Sequence, residues 1–91
     1  MDFKEAMKNV EDFKVAKVTP VEGKGTHPHL VKVDSYPDLD MYCLQCVCLT
    51  EDGTHLEPDC DWEPVCYLFC FEDIIDGEWE IVNEDDFKEV E

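Results

Sequence analysis

Six cysteines fall between positions 43 and 70, three of them in the single stretch YCLQCVC at residues 42–48. The chain has 91 residues, enough for one small domain, whose core supplies only about 3–5 kcal/mol before metals or disulfides are counted. Clustered thiols in such a chain can be ligands of a structural ion, halves of disulfides, or small apolar side chains in a core. The spacing favours the first. Zinc takes four thiolates or imidazoles in a tetrahedron, and short spacers let one turn present two sulfurs to one ion.

Asp52-Gly53 is a hairpin signal of the I′ type. Pairing Glu51 with Thr54 makes facing residue numbers sum to 105, which sets Cys60 opposite Gln45 and puts Cys43 and Cys60 on one face. A bulge at Cys46 and the return of Cys66 from the proline loop at 57–64 complete the set. The expected structural Zn(2+) site is therefore Cys43, Cys46, Cys60 and Cys66, with Cys48 and Cys70 as reserves or core thiols. Disulfides and plain core thiols remain open.

Charge narrows the function classes. The chain carries 24 acids against 7 lysines and no arginine, a net charge of −17. Residues 57–91 hold 14 of those acids and only Lys88. Such a surface repels phosphate, which disfavours direct nucleic-acid binding and anionic membranes, and it attracts a basic protein surface. Asp59, Asp61, Glu63, Glu84, Asp85 and Asp86 lie in the stretch without lysine between Lys32 and Lys88. They are the candidate partner-binding residues.

The hydropathy pattern predicts an α+β fold: an N-terminal helix beside a small antiparallel β-meander, stabilised by the zinc site. Phe3, Ala6, Met7, Val10 and Phe13 recur at helical spacing. Strands are expected at 15–21, 29–36 and within the apolar run 39–50, where a short helix is the alternative. The turn at 23–28, VCYLFCF at 65–71 and a second hairpin at Asp76-Gly77 complete the pattern, with Trp79 and Ile81 on one face. Residues 1–91 read as a single domain, with 83–91 an acidic tail that is either a frayed helix or an extended arm. No signal peptide and no run of roughly 18 apolar residues is visible, so a reducing cytoplasm is the expected compartment.

Catalysis is not expected. His27, His29 and His55 are lesser metal candidates. A Cys–His nucleophile would need an oriented pair and a pocket. Asp59-x-Asp61-x-Glu63 resembles the start of a calcium loop, but Pro64 stands where glycine is required. GKGT at 23–26 lacks the spacing of a phosphate loop. Trp62, in a loop, is either packing or a partner anchor.

Two resemblances follow from these residues. Small size, strong acidity and zinc-type cysteines without an enzyme motif make the chain similar in overall character to the anti-CRISPR proteins of phages and mobile elements. That resemblance implies inhibition of a CRISPR effector, the Cas9 nuclease, by carboxylates that occupy a basic nucleic-acid-binding surface and block DNA loading in a host bacterial cell. A zinc-stabilised adaptor for a basic protein partner is the second reading. CxxCxC at 43–48, an acidic Gly turn and a spaced cysteine pair resemble, over 43–66, the extracellular von Willebrand factor type C module, which would imply disulfides.

Overall fold

The computed structural model describes residues 1–21, 27–36, 41–64 and 76–89, and the structural statements that follow concern those residues. The amphipathic stretch near the N-terminus forms α1 (Phe3–Glu11). The Asp2 carboxylate caps it by accepting from the Glu5 N–H at 2.8 Å, an interaction worth about 1 kcal/mol. Phe3, Ala6, Met7 and Val10 share its inner face, and Ala6 and Val10 are fully buried.

The helix stops in a Schellman motif: the Phe13 N–H donates to the Val10 carbonyl at 3.0 Å and the Lys14 N–H to the Asn9 carbonyl at 3.2 Å. That geometry requires one left-handed residue, usually glycine. Here it is Phe13, at φ 65°. A side chain in this region costs about 1 kcal/mol.

The strands are β1 (Val15–Thr19), β2 (His29–Tyr36), β3 (Met41–Cys48), β4 (Glu63–Pro64) and β5 (Glu78–Val82). They form one antiparallel sheet in the order β4-β3-β2-β1-β5. The expected helix and antiparallel meander are present from β1 to β4, and the apolar run after residue 40 is strand rather than helix. β5 returns to lie along β1, from Val15↔Val82 to Thr19↔Glu78. The Ile74–Ile75 side of the expected second hairpin lies outside the described residues, as do 22–26 and the run 65–71.

Period-two alternation gives the sheet two cores. Toward α1 point Ala16, Val18, Val31, Cys46 and Trp79, with Val33 and Ile81 half-buried beside them. Toward the other face point Leu30 and Val47, joined by Leu49. No second helix covers that face among the described residues. Instead Leu56, Cys60 and Trp62 from the loop after β3, and Phe87 from the C-terminal segment, pack onto it. Residues Glu84–Asp86 form a 3-10 turn capped by the Asn83 side chain, and the Leu56 N–H donates to the Lys88 carbonyl at 2.9 Å.

The turn after β3 is tighter in register than in type. Leu49 faces Leu56 and the Thr50 N–H donates to the His55 carbonyl at 2.8 Å, both in the expected register of 105. Among the described non-glycine residues only Phe13 has positive φ, so Asp52 does not adopt the I′ conformation. Of the two residues Asp52 and Gly53 it is Gly53 that is left-handed, at φ 73°, and a Cβ there would meet the Lys17 Nζ at 3.0 Å. Asp52 serves by its side chain, which accepts from the hydroxyls of Thr50 and Thr54 at 2.6 and 2.8 Å. Those bonds, Thr50 first, hold its carboxyl down at about 2.

Candidate functional site

The zinc expectation rests on the thiols. Strand alternation places Cys46 on the α1 side of β3 and Cys43 on the other, and no bulge brings Cys46 round. The hairpin register of 105 lasts only to Leu49 and Leu56. The loop at 57–62, with Pro58, then swings out, and β4 rejoins with Pro64 facing Gln45 and Glu63 facing Cys46. Cys60 is thus carried away from Gln45 into the loop-side core.

The expected tetrahedron of Cys43, Cys46, Cys60 and Cys66 is corrected accordingly. Among the described residues no group of three or more His, Cys, Asp or Glu side chains could hold a metal ion. The expectations of a Zn(2+) cofactor and of a zinc-stabilised fold fall with it. Cys66 and the reserve Cys70 lie outside the described residues; the other reserve, Cys48, belongs to no such group. The histidines do not rescue the site. His27 Nδ1 pairs with Glu57 Oε1 at 3.1 Å, and His55 Nδ1 stands 2.8 Å from the Thr54 hydroxyl.

Cys48 and His29 do meet, with Sγ 3.2 Å from Nε2. Burial, then the neighbouring Cys60 thiol, pushes the Cys48 thiol up to about 12. Burial also holds the His29 imidazole below its ordinary value, against a hydrogen bond to the His27 backbone that raises it. At neutral pH the pair is a thiol beside a neutral imidazole, whereas nucleophilic cysteines act as thiolates.

Cys46 is the core thiol, 4% exposed among apolar neighbours. Cys46→Ser is expected to lower the free energy of unfolding in urea by about 1–2 kcal/mol, the cost of placing a hydroxyl there. Cys43→Ser, at a half-buried site, should stay within about 0.5 kcal/mol. Equal losses at the two positions would contradict this placement.

Two acidic segments are brought near each other, although Glu63, opposite Cys46, lies on the α1 side of the sheet. Asp59 and Asp61 ride on the loop that packs over the sheet face away from α1, and Glu63 begins β4 at the sheet edge. Glu84, Asp85 and Asp86 form the 3-10 turn beyond β5. One residue links the two segments. Lys32, from the middle of β2, directs its Nζ to Glu84 Oε1 at 2.9 Å and lies over the Trp62 ring at 4.1 Å. Glu84 is therefore engaged internally, while Asp59, Asp61, Glu63, Asp85 and Asp86 are exposed. Trp62 is half-buried and packs rather than projecting. The linking role of Lys32 had no sequence signal, since it depends on strand parity and on a loop folding back.

Among the described residues no helix is long and apolar enough to cross a membrane. Cys43, Cys46, Cys48 and Cys60 are free thiols, which removes the disulfides that the von Willebrand factor type C resemblance implied. The anti-CRISPR resemblance, with its inhibition of the Cas9 nuclease, and the zinc-stabilised adaptor are corrected too: the zinc they invoked has no site among the described residues, and no protein-family model, curated protein or solved structure matches this chain.

Proposed function

We propose that this protein is a binding module for a basic protein surface, acting by association rather than catalysis through the carboxylates of the sheet face away from α1. The observation that supports the reading most is the convergence of two acidic segments, distant in sequence, around Lys32. A net charge of −17 speeds encounter with a cationic partner and repels phosphate-bearing ones, so nucleic acid and anionic membrane are not the proposed targets. Exposed carboxylates then pair with lysine or arginine across the interface. Such pairing sets specificity and on-rate more than raw affinity.

The test uses a fluorescent peptide of alternating lysine and serine as a defined cationic probe. Its affinity should fall about tenfold or more between about 50 and about 200 mM salt. A variant carrying Asp59→Asn, Asp61→Asn, Asp85→Asn and Asp86→Asn should bind it much more weakly than one carrying Glu5→Gln, Asp12→Asn, Glu51→Gln and Asp76→Asn. The two variants have the same net charge. Equal weakening would reduce the effect to overall charge and remove the proposed face.

A further inference from the structure

We infer that the groove between α1 and the first half of β3 docks an amphipathic segment of the cationic partner, with Phe13 and Tyr42 as aromatic anchors. The inference rests on the proposed binding of a basic partner and gives that partner a second, apolar contact on the opposite, α1 side of the sheet.

Helix α1 lies over β1, β2 and β5, so it leaves β3 progressively bare. Along the α1 side of β3, Cys46 is 4% exposed, Leu44 38% and Tyr42 65%. The space beside the helix is a groove of about 340 Å³ lined by Phe3, Met7, Val10, Glu11, Val33 and Leu44. Just beyond the C-terminal end of α1 the Phe13 and Tyr42 rings meet edge to face, with centroids 5.6 Å apart and an interplanar angle of 66°. Despite that contact, Phe13 remains 64% exposed.

Folding alone does not account for Phe13. It occupies the left-handed position of the helix ending, which glycine fills without steric strain. A strained residue that presents a large ring to solvent is the kind of outlier that marks a binding position. Aromatic rings in such places are the usual anchors of interfaces.

Charge identifies the occupant. A second copy of this chain would bring another −17 to the contact, whereas a segment with one apolar and one basic face is attracted to it. Glu11, in the groove wall, is placed to meet a basic side chain at the edge of that apolar face. The mode is that of an amphipathic segment laid into a hydrophobic groove.

Two peptides of equal length and charge test this, one of leucine and lysine patterned as an amphipathic helix, the other the lysine–serine peptide. The leucine–lysine peptide should bind at least about tenfold tighter and shift the backbone amide resonances of residues 7–13 and 42–44. Phe13→Gly should leave the melting temperature unchanged or raised, weaken the leucine–lysine peptide about tenfold, and leave the lysine–serine peptide unaffected. Tyr42→Ser should weaken the leucine–lysine peptide likewise.

A lower melting temperature for Phe13→Gly with unchanged affinity would make the ring pair mere packing and overturn the inference. Equal affinity of the two peptides would overturn it while leaving the charge-based reading standing. Failure of both peptides to bind at low salt would remove that reading as well. A concentration-dependent dimer abolished by Tyr42→Ser would assign the groove to a second copy instead.

Discussion

Trp79→Ala is expected to leave the chain without a cooperative fold at room temperature. Trp79 lies on β5 and is 4% exposed, in the cluster that joins α1 to the sheet. Its ring meets Phe3 edge to face, with centroids 5.5 Å apart and an interplanar angle of 68°. Truncating a buried tryptophan to alanine costs about 3–5 kcal/mol, and a core of this size provides about as much net stability. Self-repulsion from a charge of −17 acts in the same direction.

Far-UV circular dichroism should lose the sheet signal, and the thermal transition should vanish. Raising salt should restore part of it by screening the repulsion. Trp79→Phe, which keeps a ring against Phe3, should melt cooperatively at a lower temperature. If Trp79→Ala melted cooperatively within about 8 °C of the parent, equivalent to about 1 kcal/mol, the helix–sheet core would not be what holds this fold together.

Much of the fold was legible from periodicity. Phe3, Ala6, Met7 and Val10 mark one helix face, and β2 spans His29–Tyr36 as the pattern implied. The hairpin register was right for Leu49 and Leu56, because glycine fixes a turn locally. It failed by Cys60, since a proline-containing loop can leave a strand pair and rejoin it at another register. A tetrahedron of Cys43, Cys46, Cys60 and Cys66 needs that register to persist past the loop and a bulge that β3 does not make.

The side of the sheet against which β5 pairs was not legible either. An Asp-Gly turn specifies a local reversal, whereas the β1–β5 pairing joins residues at opposite ends of the chain. Phe13 falls at the last apolar position of the helical pattern. Its left-handed backbone was invisible because the usual signal for that ending, a glycine, is missing.

Lys32→Met is expected to cost about 2 kcal/mol of stability, more than any exposed lysine should. The Lys32 side chain is 21% exposed, and its Nζ is shared between Glu84 at 2.9 Å and the Trp62 ring at 4.1 Å. A partly desolvated cation–π contact contributes about 0.5–2 kcal/mol, and the hydrogen bond to a carboxylate adds about as much. Methionine keeps most of the apolar stem, so the loss isolates the charge. Double-mutant cycles with Glu84→Gln and Trp62→Leu should each return a coupling of at least about 0.5 kcal/mol. Couplings near zero would mean that loop and C-terminal segment are held by Leu56, Phe87 and the backbone alone.

The same variant probes the proposed binding face. Removing Lys32 leaves Glu84 and its acidic neighbours without their internal cation, and a bound lysine-rich peptide can supply one from outside. Stabilisation by a ligand follows its affinity for the folded state. The lysine–serine peptide should therefore raise the melting temperature of Lys32→Met by more than it raises that of the parent. An equal rise in both would place the peptide away from Lys32, and with it the contact between this acidic face and its basic partner.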